Sequence, residues 1–259
     1  MENRITLFIL SICSLASGIS VASDEKPNIL FLMADDWSWP HAGALGDPVV
    51  KTPTFDRLVR EGALFNHAFV SAPSCTPSRH AISSGQYHWR LKDGVNLGGS
   101  LPKNTPVYPD LLEDAGYYMG YTGKGWGPGI YKGFGTSDKE SPGNPAGNAY
   151  KTERKKVPYK GIRTLDYAAN FAKFLKEKPK EKPFCFWLGT KEPHRSYGKD
   201  NWKIAGSDLS KVTVPAYYPD NPIIRGDLAD YALEVEWYDT HIQRALKHLE
   251  ENNLLDNTL

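Results

Sequence analysis

Charge of one sign is what this sequence most plainly lacks: 31 Lys and Arg stand against 30 Asp and Glu in 259 residues, a formal net charge of +1. That balance leaves no electrostatic footprint for nucleic acid, and no recognised nucleic-acid motif is present, so no nucleic-acid partner is expected. Long hydrophobic runs are also missing. The apolar stretch from Ile5 to Leu15 falls short of the roughly 20 residues that cross a bilayer. With Arg4 before it and the small residues Val21-Ala22-Ser23 after it, residues 1–23 read as a cleaved secretory signal, and an N-terminal membrane anchor is the other reading. On the first reading the mature protein begins near Asp24 and is exported, periplasmic or secreted, with no stable membrane span.

Cysteine is scarce as well, at three residues. Cys13 falls in the segment removed on export, and Ile12 before it does not suit a lipoprotein site. Cys75 and Cys185 remain as the one pair an oxidising compartment could join. Cys185 lies inside Phe184-Cys185-Phe186-Trp187-Leu188, an apolar run that reads as a fully buried strand, where cysteine acts as a small hydrophobe.

What is present allows a large core: 40% of the residues are apolar, and the length suits one large α/β domain or two small ones. Asn28 to Ala34 is a continuous apolar run of the kind found in central parallel strands, and it stops at Asp35-Asp36. Ligands of open α/β sheets bind at the carboxyl ends of strands, and two adjacent carboxylates there suggest either a hard divalent cation or a helix cap and turn. Phe55, Leu58 and Val59 predict a helix that ends at Gly62, followed by a strand over Ala63 to Val70.

The chain is organised around Ser74-Cys75-Thr76-Pro77-Ser78-Arg79-His80-Ala81-Ile82-Ser83-Ser84-Gly85. Thr76 is expected to cap a helix with Pro77 at its first position and Gly85 at its end. The helix mouth then points free N–H groups toward Cys75, and Arg79 one turn inside adds a planar cation suited to a tetrahedral oxyanion. On the residues alone Cys75 is a nucleophile, a disulfide half or a buried thiol.

Beyond it, Tyr108 to Ala115 predicts a short helix, and Gly116 to Trp126 a strand running into a glycine turn at Gly123-Lys124-Gly125. His88 reads as packing or surface. Residues 127–158 show no period and form a long excursion; its Lys151, Arg154, Lys155 and Lys156 would meet a polyanionic glycan or simply be solvated. Thr164 to Lys178 has helical spacing, the Phe184 to Leu188 strand follows, and it ends in Glu192-Pro193-His194-Arg195. Arg225 to Asn253 predicts a long helix on which His241 and His248 pack or are solvated.

The string Cys75-x-Pro77-Ser78-Arg79, followed at fixed offsets by an apolar residue, Ser and Gly85, resembles the type I sulfatase signature. Asp35-Asp36, the Gly-Tyr-x-x-x-x-x-Gly-Lys motif ending at Lys124, and Pro193-His194 match further motifs of that family. Arg195, with Lys211 to Asp220, is most similar to the sulfamidase (heparan N-sulfatase) branch. The resemblance implies an alkaline-phosphatase-like α/β fold over about residues 26–259, a mostly parallel central sheet flanked by helices. It implies hydrolysis of sulfate esters or sulfamates of a saccharide through formylglycine, made from Cys75 by a separate maturation enzyme. In that scheme Asp35, Asp36 and residue 75 hold one Ca²⁺, Arg79 and Lys124 stabilise negative charge, His194 protonates the leaving group, and Lys124, Trp126, His194 and Arg195 bind substrate.

Trp126 departs from the pattern, since most relatives carry histidine there. A phosphatase or phosphonate hydrolase of the same superfamily, or an inactive glycan-binding fragment, is the alternative. The chain stops at Asn257-Thr258-Leu259, which in the family opens another buried strand leading to further metal ligands. Residues 24–259 are therefore expected to be the N-terminal part of a sulfatase catalytic domain, inactive and poorly soluble alone.

Overall fold

The computed structural model describes residues 25–102, 104–125 and 147–259. The proposed signal at 1–23, Trp126 and most of the 127–158 excursion lie outside the described residues. Four strands, β1 (Ile29–Met33), β2 (Tyr118–Gly123), β3 (Asn148–Ala149) and β4 (Phe184–Gly189), form one sheet in the order β1-β4-β2-β3. Every pairing in it is parallel, with Ile29 opposite Cys185 and Tyr118 opposite Phe184. The central strand β4 is buried at all of its positions. That is why its sequence runs apolar without alternation: a parallel strand covered on both faces has no side that meets water.

Among the described residues six α-helices accompany the sheet: α1 (Pro53–Glu61), α2 (Cys75–Ser84), α3 (Tyr108–Asp114), α4 (Tyr167–Glu177), α5 (Asn201–Ala205) and α6 (Pro222–Glu251). On one face Phe171 and Phe174 of α4 and Tyr238, Ile242, Leu246 and Leu249 of α6 pack on Phe184 and Phe186. Gly120 makes this approach possible, because a Cβ there would stand 2.6 Å from the Phe174 ring. On the other face Tyr108 and Leu112 of α3 pack against Met119 and Cys185. Both Cys75 and Cys185 are free thiols. Among the described residues, no helix is long and apolar enough to cross a membrane.

Several local expectations shift. Residues 63–70 form no strand: the segment turns at 66–67, pairs with no strand among the described residues, and leaves Phe65, Phe69 and Val70 exposed. Helix α2 begins at Cys75 with Ser74 as its N-cap. Thr76 and Pro77 are therefore inside its first turn, and the Thr76 hydroxyl accepts from Gly98 N at 3.0 Å instead of capping. Gly85 does close the helix, at φ 65°. Helix α4 starts at Tyr167, later than the periodicity predicts, because the Asp166 carboxylate caps Ala169 N at 3.0 Å. Helix α6 starts earlier, at Pro222, where Asn221 Oδ1 accepts from Ile223 N and Ile224 N, each at 3.0 Å. Asn257 to Leu259 run parallel along β1, with Leu30 N donating to Leu259 O at 2.8 Å.

Candidate active site

Because β1, β4 and β2 are adjacent and parallel, their carboxyl ends open side by side, and the segments leaving them carry Asp35, His194 and Lys124 to one place. The mouth of α2 faces the same place. Its first N–H groups have no acceptor one turn earlier within the helix, and Pro77 has none to offer.

Asp35 is the centre of the arrangement. It is 5% exposed, and its N–H donates to Glu192 O at 3.2 Å. Arg79 Nη2 donates to its Oδ1 at 3.1 Å, and Lys124 Nζ bonds closely to its Oδ2. The same Lys124 ammonium donates to Cys75 Sγ at 3.1 Å. Arg79, 3% exposed, also donates through Nη1 to Lys124 O at 2.6 Å and lies 5.8 Å from the Trp187 ring centroid. Two cations thus converge on one buried carboxylate, and one of them, Lys124, also reaches the sulfur.

The glycines of this turn are required by close backbone approach. Gly123 has φ 68°, and a Cβ on it would meet Gly189 O at 1.9 Å. A Cβ on Gly189 would meet Lys124 O at 2.4 Å, the carbonyl that accepts from both Arg79 and Trp187 Nε1. The backbone of Lys124 is held from two sides, which fixes where its ammonium reaches.

His194 is exposed, with Nε2 3.7 Å from Asp36 Oδ2. Its Nδ1 bonds to Arg195 O. A carbonyl only accepts, so Nδ1 carries the hydrogen there and Nε2 is the atom turned to the opening. Asp35, Cys75 and His194 each bring a ligand atom within 4.8 Å of the others. Asp36 stands beside this group, its side chain 61% exposed, and contacts it through His194. A thiol and an imidazole suit softer metals, whereas the two neighbouring carboxylates and an oxygen in place of Sγ form one part of a hard-cation shell. The residues present fit a hard divalent cation to that extent, short of the roughly six to eight oxygens calcium prefers.

Arg195 does not point into this group. Its guanidinium pairs with Asp227 through both carboxylate oxygens, at 2.9 and 2.7 Å, and stacks over Tyr197 at 4.6 Å. The Asp227 carboxylate holds its pKa above the usual guanidinium range. His88 packs aside, bonded to Ser71 Oγ at 2.8 Å. Sequence reasoning missed Glu192, buried two residues before His194. Its carboxylate accepts from Arg163 N at 3.0 Å, Tyr167 OH at 2.9 Å and Lys191 N at 3.2 Å, and so ties the end of β4 to α4. Nothing in the sequence marks it apart from a surface glutamate.

The family model described as Sulfatase matches residues 27–259. The chain is 31% identical over 252 residues to the ulvan-active sulfatase of Formosa agariphila, covering 93% of this chain and 44% of that protein. It is 28% identical over 275 residues to human N-sulphoglucosamine sulphohydrolase, covering 95% of this chain and 52% of that protein. The crystal structure of phosphonate monoester hydrolase from Agrobacterium radiobacter superposes with a TM-score of 0.67 at 18% identity, over 90% of this chain and 61% of that one. The chain spans about half the length of these curated relatives.

Proposed function

The chain belongs to the sulfatase family, and from that premise we propose that its protein hydrolyses sulfate esters or sulfamates of a saccharide through formylglycine at position 75. The observation that carries this reading is the convergence of Lys124 and Arg79 on Asp35 beside Cys75, with Lys124 Nζ 3.1 Å from the sulfur. That sulfur marks where the oxygens of the hydrated aldehyde would stand. The hydrate supplies the nucleophilic hydroxyl and, through its second hydroxyl, a way to release sulfate.

The chain's own residues do the rest. Lys124 and Arg79 offer N–H donors to the sulfate oxygens, whose charge grows in the transition state in a site shielded from water. Protonated at both ring nitrogens, with Nδ1–H on the Arg195 carbonyl, the His194 imidazolium donates its Nε2 proton to the departing oxygen or nitrogen, which otherwise leaves as a strong base. Asp35 and Asp36, with the oxygen at position 75, would hold the calcium ion, which when bound supplies positive charge against the sulfate. The sulfated saccharide and the maturation enzyme are the partners this chemistry needs, and export follows from reading 1–23 as a signal.

The test has two parts. Peptide mass spectrometry of protein made with the maturation enzyme should find the aldehyde at position 75, and the intact protein should release sulfate, with Cys75→Ala abolishing turnover. Unmodified thiol at position 75 under those conditions, or release of phosphate from phosphate or phosphonate esters in place of sulfate, overturns the reading.

A further inference from the structure

The two carboxylates that follow β1 are held in different ways. Asp35 is buried, and Arg79 and Lys124 fix its side chain. The Asp36 side chain is 61% exposed and comes no nearer to His194 Nε2 than 3.7 Å, which is beyond a hydrogen bond. Where its carboxylate stands is therefore set mainly by its backbone.

That backbone is in an unusual conformation. Asp36 has φ 66°, in the left-handed region, where the Cβ crowds the following carbonyl. Aspartate enters this region more readily than most residues, but it stays there in a folded protein when the surroundings hold it.

The hold comes from α6. Tyr231 OH donates to Asp36 O at 3.0 Å, and the same hydroxyl oxygen accepts from Ser38 N at 3.2 Å. One phenol, which both donates and accepts, thus bridges the carbonyl of the left-handed residue and the N–H two positions on, and closes the turn from outside. The Tyr231 ring is itself seated. His41 packs edge-on against it at 5.1 Å and Tyr197 at 6.3 Å, and it lies on the cluster of Val50, Ala232 and Val235. His41 is tied in turn to Asp47 Oδ2 at 3.0 Å. On the other side of Asp36, Trp37 packs edge-on against Phe55 and Tyr238, and its Nε1 donates to His41 O at 2.7 Å. Asp36 lies between two anchored neighbours, and the Tyr231 hydroxyl reaches its backbone directly.

We infer that Tyr231 is a positioning residue for the cation site: its hydroxyl holds Asp36 in the left-handed conformation that sets the carboxylate beside the group formed by Asp35, Cys75 and His194. This role rests on the proposed reading in which Asp35, Asp36 and the oxygen at position 75 hold calcium. It makes affinity for the ion depend on a side chain 195 positions away on α6.

The test is calcium binding to the intact protein, read apart from turnover. Tyr231→Phe keeps the ring and its packing and removes the hydroxyl. The exposed Asp36 and Ser38 groups that it releases can bond to water, so Tm in the absence of calcium and circular dichroism should stay close to wild type. Titrated calorimetrically with calcium chloride, the variant should show a Kd raised by about tenfold, the scale on which lost outer-shell partners weaken a metal site. In the sulfate assay it should need about tenfold more calcium for half-maximal rate and recover most of kcat when calcium is in excess. A merely structural role would lower Tm and leave the calcium Kd where it was. A variant Kd within about threefold of wild type overturns the inference and leaves the calcium reading intact. Wild-type protein that binds no calcium overturns both. Calcium binding that weakens as described in a protein that releases no sulfate would instead refute the proposed reaction and leave the role of Tyr231 standing.

Discussion

Glu234 on α6 is 2% exposed, and its Oε1 has no hydrogen-bond partner among the described residues. Burial, reinforced by the negative charges of Glu192 and Asp230 and offset by Arg163, pushes its pKa up from 4.5 to about 8. The folded protein therefore holds a proton that the unfolded chain releases above pH 4.5, and stability falls as pH rises from there through 8. At 1.36 kcal/mol for each unit of pKa difference, the ionisation penalty at pH 7 is about 3 kcal/mol, of which about 2.5 kcal/mol accrues between pH 5 and pH 7. For a chain of this size that corresponds to a fall in Tm of about 5–10 °C over those two pH units. Glu234→Gln keeps the shape and removes the titration. Any cost of burying its amide is the same at every pH, so the useful quantity is the difference in Tm between variant and wild type. Measured by calorimetry from pH 4.5 to 8, that difference should rise in favour of the variant. A flat difference would refute the reasoning, since it would mean that Glu234 has the same proton affinity folded and unfolded.

Arg79→Ala should cost about 3 kcal/mol, because it strips one cation from buried Asp35 while Lys124 remains, and sulfate turnover should fall by about 10²–10³-fold; chemical denaturation and a sulfate assay read the two effects, and wild-type behaviour in both would sink the assignment. Gly120→Ala should lower stability by about 1–3 kcal/mol, since its Cβ would stand 2.6 Å from Phe174, and an unchanged Tm would contradict the packing described. In protein made without the maturation enzyme, iodoacetamide at pH 8 should alkylate Cys75 and spare Cys185, whose thiol burial pushes up to about 12. Labelling of Cys185 before denaturation would show that β4 opens.

Much of the fold was legible locally. Uninterrupted apolar runs at 29–33 and 184–188 form parallel strands, the second buried at every position and the first only partly covered, and Gly85 sits where a left-handed helix end needs it. The Cys-x-Pro-Ser-Arg string, Asp35-Asp36, Lys124 and His194 pointed to a shared site through their resemblance to sulfatase motifs. Three features were not legible. The capping that moved the starts of α4 and α6 depends on which side chain wins one or two N–H groups, a contest that periodicity does not record. Arg195 read by resemblance as a substrate-binding residue, whereas α6 brings Asp227 to it from 32 positions away. Glu192 and Glu234 look like ordinary surface acids, and only the packing of α6 on β4 and α4 removes them from water. Sequence by itself determined β1, β2 and β4, the family and the cluster of reactive residue types, since those follow from short-range patterns, while it placed a strand over 63–70 that does not form and missed β3. Tertiary structure decided which charges are neutralised and which are left to act, because a Coulomb partner and a dielectric are properties of the folded neighbourhood, not of the residue.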